Sequence, residues 1–152
     1  SGALIAYNAE YVAGRAGSVR VGAGAAPADA GALVLLNVDQ PRPANVVRRL
    51  LDAHRQRSTT LTVPAHAGTR GHPLVLDGSL RAELLAVEEA SEGLKAVVRR
   101  HQAERQEVEF EDPVVLLDLN TPASYSEART ASTGQTIVRS ASIDTAEPGS
   151  LV

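Results

Sequence analysis

The amino-acid sequence predicts an α/β domain of three layers, with a mostly parallel sheet between two layers of helices. The core must be aliphatic, because hydrophobic residues make up 43% of the 152 residues while aromatic residues make up only 3%. Segments with the pattern of strands alternate along the chain with segments that have helical periodicity, which is typical of a sheet covered by helices. In such sheets, ligands bind beyond the carboxyl ends of the strands.

The first half of the chain contains the pattern of one strand between two helices. Residues 3–7 read as the end of a strand, and residues 18–26 have a weak helical pattern. The continuous apolar run at residues 32–38 is typical of a strand that is buried on both faces. Pro43 is well placed to open a helix, and from Ala44 onward the apolar residues recur at helical spacing.

The second half repeats the alternation with shorter elements. We expect strands at residues 59–63, 73–76, 107–110 and 114–117, helices at 80–87 and 93–103, a polar loop at 65–71, and a short helix opened by Thr121 and Pro122. Residues 1–125 are therefore expected to form one domain. Residues 126–152 are rich in Ser, Thr, Ala and Gly with few apolar anchors, which predicts a disordered tail.

Composition excludes several classes of function. The chain has no cysteine, so disulfides, zinc–thiolate sites and cysteine nucleophiles are absent. The net charge of −3 and the isoelectric point of about 5.8 argue against a nucleic-acid partner. No apolar run approaches the roughly 20 residues needed to cross a bilayer, and no signal peptide is visible. We therefore expect a cytoplasmic protein without a membrane partner.

Asp39 is the strongest single candidate for a functional residue. It follows the predicted strand 32–38 directly, so its side chain is expected at the ligand-binding edge of the sheet. A carboxylate in this position can hold Mg²⁺, which in turn neutralises phosphate oxygens. The alternative is an aspartate that only forms the turn before Pro41, and the residue alone does not decide between them.

Asp118 and Asn120 form a second candidate group. They follow the predicted strand 114–117 and alternate with Leu119, so both polar side chains are expected on one side of the backbone. Their oxygens can join Asp39 around one hard cation. A helix cap at Asn120 or Thr121 is the alternative, and the motif taken alone favours it.

A third candidate segment is Gly71, His72 and Pro73, at the junction between a loop and a strand. Glycine permits close approach of a ligand to the backbone. The imidazole of His72 can form a hydrogen bond to a substrate or simply pack.

Taken together, these segments resemble the motifs of MobA-like nucleotidyltransferases, and most closely those of molybdenum-cofactor cytidylyltransferases. The resemblance covers residues 3 to 125. It is carried by four segments in the family's order: 8–22 (Asn-x-x-Tyr-x-x-Gly, then Ser-Val-Arg-x-Gly), 35–41 (LLNVDQP), 68–76 with Gly-His-Pro-Leu-Val-Leu, and 118–122 (DLNTP). The segment 68–76 favours the cytidylyltransferase side.

The resemblance implies a Rossmann-like α/β fold and a specific reaction. Family members transfer a nucleoside monophosphate from a nucleoside triphosphate to a phosphate on an acceptor, release pyrophosphate and use Mg²⁺. The expected substrates are CTP or GTP, with CMP transfer favoured, and a phosphorylated acceptor such as molybdopterin. Asp39 would be the catalytic metal ligand, and Asn120 with Asp118 would complete the metal site.

The resemblance also implies roles in substrate binding. Ser18 and Arg20 would lie near the nucleotide or the acceptor phosphate. Gly71, His72 and Pro73 would line the acceptor pocket.

The chain departs from the family pattern at its beginning. Family members start with a strand and a Gly-rich loop followed by Arg and Lys, which cradle the triphosphate, whereas this chain opens on Ser1 and Gly2 followed by an apolar run. We therefore expect an N-terminally truncated domain that is inactive alone and belongs to an active longer enzyme. The alternatives are a non-catalytic remnant that binds a pterin cofactor or a protein partner, and a guanylyl- or sugar-phosphate nucleotidyltransferase.

Overall fold

The structure, a computed structural model, describes residues 3–121 and residue 125. The chain divides into two units, Ser1–Asp118 and Leu119–Val152. Within the described part of the second unit, the N–H of Tyr125 donates a hydrogen bond to the carbonyl oxygen of Thr121. The tail predicted at 126–152, and most of the helix predicted from residue 121, lie outside the described residues.

The first unit contains both helices and strands that form a sheet, which confirms the α/β class. The helices are α1 (Arg15–Ala25), α2 (Ala44–Arg57), α3 (Arg81–Leu85) and α4 (Leu94–Arg100), and the strands are β1 (Ala32–Leu35), β2 (Leu61–His66), β3 (Thr69–Arg70), β4 (Leu74–Asp77) and β5 (Arg105–Glu109). Among the described residues, none of the helices has the length and apolar content that a bilayer crossing requires.

The five strands form a mixed sheet. β4 lies between β1 and β2 and is antiparallel to both, β3 is antiparallel to β2, and β5 is parallel to β2. The predicted mostly parallel pairing is therefore wrong, although β1, β2 and β5 do run in one direction. The cause is a hairpin: Ala67 and Gly68 adopt positive φ and turn the chain back from β2 into β3, inside a segment predicted to be a loop.

Hydrophobic side chains fill both faces of the sheet, so the predicted three layers are confirmed. Consecutive residues of a strand point to opposite faces, and the buried neighbours Val75 and Leu76 belong to different cores. Leu76 packs in a core with residues of α1, α3 and α4. Val75 packs in the other core with Val46 and Leu50 of α2.

Two predicted strands are absent. In place of the strand predicted at 114–117, residues Pro113–Leu116 form a 3-10 helix, which Leu117 follows. The Asp112 carboxylate accepts a hydrogen bond from the Val114 N–H at 2.8 Å, and Pro113 occupies the first helical position. Residues 3–8 are irregular, and no described strand pairs with them.

β1 is shorter and less buried than its sequence predicts. It ends at Leu35, its residues are half-buried, and within the described chain it pairs only with β4. Leu36 and Val38 are exposed. Asp39 therefore lies in the connection between β1 and α2, four positions after the last strand residue.

His54 of α2 gives the fold a testable dependence on pH. The side chain is only 4% exposed, and its Nδ1 shares a hydrogen bond with Thr62 Oγ1 at 2.9 Å. Burial lowers the pKa of His54, with Asp77 acting in the opposite direction and Arg55 in the same one. Because the unfolded value of about 6.5 is then the higher one, the unfolded state takes up the proton first. The stability that the neutral His54 contributes is fully present above the unfolded-state pKa and is lost as the pH falls below it.

We therefore expect the free energy of unfolding, measured by urea denaturation, to decrease between pH 7.5 and pH 5. A His54→Asn variant should show a flatter pH profile, whatever its absolute stability. The pKa of His72 is also lowered by burial. His72 therefore adds to the pH dependence of the unfolding free energy with the same sign, and a His72→Asn variant measures that part. Identical slopes for wild type and His54→Asn would contradict the assignment.

Candidate functional site

Three chain segments meet at one end of the sheet. They are the connection between β1 and α2, the segment 71–73 before β4, and the segment 115–118 at the end of the last described 3-10 helix. Because β4 is antiparallel to β1 and β2, it begins at the edge where those strands end. The arrangement agrees with the rule that ligands bind beyond the carboxyl ends of strands.

Arg42 bridges these three segments through its guanidinium group. Its Nε donates to the carbonyl oxygen of His72 at 2.8 Å, and its Nη2 donates to those of Val115 and Leu117, both at 2.9 Å. Its Nη1 donates to the carbonyl oxygen of Pro41 at 2.9 Å. Sequence reasoning missed Arg42, and the only signal for it was an arginine between two prolines in the same connection as Asp39.

The segment 71–73 packs tightly against the 3-10 helix that precedes Asp118. The N–H of Gly71 donates to the carbonyl oxygen of Pro64 at 2.8 Å, and the N–H of His72 donates to that of Val115 at 3.0 Å. A Cβ atom at Gly71 would clash with the Val115 carbonyl oxygen and lie 2.7 Å from its carbon. The peptide bond between His72 and Pro73 is cis. The close approach that glycine permits is therefore to this carbonyl group.

Asp39 and Asp118 lie in the same electrostatic environment. Burial lowers the pKa of Arg42, while Asp118 and Asp39 act to raise it. Burial also lowers the pKa of His72, reinforced by Arg42 and Arg15 and opposed by Asp118 and Asp39. Neither aspartate forms a hydrogen bond or an ion pair with another described residue. The site thus contains two carboxylates without a partner among the described residues, and an imidazole whose lowered pKa keeps it neutral at pH 7.

The connection that carries Asp39 is held by polar side chains. Gln40 is buried, its N–H donates to the Asn37 carbonyl oxygen at 3.1 Å, and its Oε1 accepts from Asn37 Nδ2 at 3.0 Å. Arg15 of α1 donates to Asn37 Oδ1 at 2.9 Å. These bonds fix the turn while Asp39 stays half-buried and Val38 exposed.

The remaining predicted site residues have other contacts. Ser18 Oγ accepts a hydrogen bond from Asn8 Nδ2 at 3.0 Å, and Arg20 donates to the carbonyl oxygen of Val87 at 2.7 Å. Neither side chain forms a hydrogen bond or an ion pair with a described residue of the three segments of the site. Asn120 is exposed and belongs to the second unit, which is described by itself.

Asp39 and Asp118 are the residues at this edge that could hold a divalent cation, since neither carboxylate has a partner among the described residues. Among residues 3–121 and 125, no group of three or more His, Cys, Asp or Glu side chains is placed to hold a metal by itself. Mg²⁺, however, commonly binds through one or two carboxylates and completes its coordination with water and substrate phosphates. Asp39 and Asp118 are the residues that would supply those carboxylates.

The structure is that of an α/β domain with carboxylates at the edge of the sheet where domains of this class bind their ligands. The sequence comparison makes the assignment specific. The model of the MobA-like NTP transferase domain matches residues 1–106, and the chain belongs to this family.

Solved structures of similar proteins agree with this assignment. Rv0371c from Mycobacterium tuberculosis H37Rv, in complex with manganese, is 26% identical with a TM-score of 0.59, over 72% of this chain and 57% of that one. A second structure of Rv0371c is 28% identical with a TM-score of 0.59, over 76% and 59%. The Rv0371c homolog from Mycobacterium sp. strain JC1 is 21% identical with a TM-score of 0.60, over 86% and 60%, and supports the fold alone.

This chain therefore spans less than two thirds of the length of these structures. No curated protein is a significant match.

Proposed function

We propose that this domain takes part in the metal-dependent transfer of a nucleoside monophosphate from a nucleoside triphosphate to a phosphorylated acceptor, with release of pyrophosphate. The observation that carries the proposal is the pair of carboxylates of Asp39 and Asp118, which have no partner among the described residues. The charges of both affect the pKa of Arg42 and of His72 at the edge of the sheet. Membership of the MobA-like NTP transferase family supports the reaction class.

The chemistry requires little from the protein beyond positioning and charge. A bound divalent cation supplies neutralisation of the phosphate oxygens as charge develops on them. Asp39 and Asp118 would hold this cation from the protein side. The donors of Arg42 are directed to backbone carbonyl oxygens, so its role in this scheme is not that of a phosphate ligand.

His72 would contact the acceptor. Its backbone N–H and carbonyl oxygen are both used within the protein, while its ring forms no hydrogen bond with another described residue. Its lowered pKa keeps the imidazole neutral at pH 7. A neutral imidazole offers one donor and one acceptor without adding charge to the site.

We propose Mg²⁺ or Mn²⁺ as the cation, CTP as the preferred nucleotide over GTP, and a molybdopterin-type acceptor. Support for a divalent cation comes from Rv0371c, whose crystal structure contains manganese. The preference for CTP and for a pterin acceptor rests on the resemblance of the Gly-His-Pro segment at residues 71–73 to cytidylyltransferases.

Isothermal titration with CTP and GTP in the presence of Mg²⁺ tests the proposal. It should be performed on this chain and on the longest form that its gene encodes. We expect the longest form to bind CTP more tightly than GTP, and to lose this binding when the metal is chelated. If neither form binds a nucleotide, the transferase proposal fails, and a pterin or protein ligand should be sought instead.

A further inference from the structure

We propose that Arg42 is a positioning residue that assembles the cation site, by holding the backbone on which Asp39 and Asp118 are carried. This inference rests on the proposed function, because it assigns Asp39 and Asp118 to one cation. Arg42 itself would touch neither the cation nor the substrate.

The placement of the bonds around Arg42 carries the argument. The guanidinium group offers five N–H donors in a rigid planar arrangement. One of its acceptors, Leu117, immediately precedes Asp118, and another, Pro41, lies two residues after Asp39. Its other acceptors are the carbonyl oxygens of Val115 and His72. A single planar group thus sets the relative position of the backbone beside both aspartates.

Arg42 does this without consuming the carboxylates. Neither Asp39 nor Asp118 forms an ion pair with it, although both raise its pKa through their charge. The positive charge of Arg42 acts on both carboxylates, while their oxygens have no partner among the described residues and stay available for a cation. A lysine keeps the charge but is a point donor, so it cannot reach the same set of carbonyl oxygens at once.

Two variants of Arg42 test the proposal on the full 152-residue chain. Arg42→Gln removes the charge and the planar donor group, and Arg42→Lys keeps the charge alone. Arg49→Gln is the control, since Arg49 of α2 likewise donates to a backbone carbonyl oxygen, that of Glu109 at 2.8 Å. The readouts are Mn²⁺ affinity, measured by electron paramagnetic resonance titration, and amide hydrogen exchange.

We expect Arg42→Gln to weaken Mn²⁺ binding by about 10- to 100-fold, the usual effect of losing a group that orients metal ligands. Arg42→Lys should give a smaller loss, and Arg49→Gln should stay within about twofold of wild type. Amide exchange at His72, whose N–H donates to Val115, should accelerate in both Arg42 variants. Exchange along the β2–β5 pairing should stay unchanged.

Electrostatics alone predicts the opposite sign, since removing a nearby positive charge strengthens the attraction between carboxylates and a cation. Unchanged or tighter Mn²⁺ binding by Arg42→Gln would therefore overturn the proposal. If Arg42→Gln does not fold, the Arg42→Lys variant decides the question in the same way. If wild type binds no Mn²⁺, this chain has no cation site of its own and the positioning proposal fails, whereas the nucleotide titration of the longest form still decides the proposed function. Accelerated exchange at His72 would then show that only the backbone arrangement depends on Arg42.

Discussion

Replacing Asp39 by alanine should abolish metal-dependent nucleotidyl transfer by the longest form of the protein, while leaving the fold intact. Asp39 is half-buried and forms no hydrogen bond or ion pair with another described residue, so its loss should change the free energy of unfolding by less than about 0.5 kcal/mol. A catalytic metal contributes several kcal/mol of charge stabilisation in the transition state. Losing about 4 kcal/mol corresponds to roughly a thousandfold decrease in kcat/KM.

Pyrophosphate release, measured with CTP and Mg²⁺, provides the readout. Asp39→Asn and Asp118→Asn keep the size of the side chain and should lower the rate in the same direction. Asp52→Asn is the control, because Asp52 is an exposed residue of α2 whose contact is an ion pair with Arg55 at 3.7 Å. Turnover close to wild type in Asp39→Ala would show that Asp39 is not a metal ligand.

Replacing Gly71 by alanine should destabilise the protein by about 3 kcal/mol. The added methyl group meets the carbonyl oxygen and carbon of Val115, which are backbone atoms, and comes within 3.2 Å of the Leu116 side chain. Overpacking of this kind costs about 1–3 kcal/mol. The same carbonyl oxygen accepts hydrogen bonds from the His72 N–H and from Arg42, and losing the bond from the charged donor adds about 1.5–3 kcal/mol.

Urea denaturation measures this effect, with Gly31→Ala as the matched control. An alanine Cβ at Gly31 meets no atom within 4 Å, so the same chemical change there should have little effect. Equal stability of the two variants would mean that the backbone near Val115 moves aside easily. In that case the tight packing of residues 71–73 would have no energetic importance.

The sequence predicts the elements better than it predicts their pairing. The helical spacing from Ala44 and the proline before it locate α2 correctly, because both signals are local. The turn at Ala67 and Gly68 was less visible, because only Gly68 is a residue that commonly adopts positive φ. Because that turn was not predicted, the sequence did not indicate the hairpin between β2 and β3. The antiparallel pairing of β4 could not be inferred for the same reason.

The same limit applies to the site. Asp39, Asp118 and the segment 71–73 carry local motifs, and the structure brings all three to one edge of the sheet. Arg42 carries no motif of its own. Its importance lies in carbonyl oxygens that are distant along the chain, and every residue type offers a carbonyl oxygen, so no sequence pattern marks its partners.

The sequence separations around Arg42 have a consequence for folding. Its bonds to His72, Val115 and Leu117 span 30, 73 and 75 residues. Each bond therefore closes a long loop, whose entropy must be lost before the contact contributes, and contacts of this kind form late on the folding pathway. Cation binding at Asp39 and Asp118 should accordingly appear in the last kinetic phase of refolding, after the helices have formed. A bound Mn²⁺ ion would then serve as a spectroscopic reporter of the native topology itself.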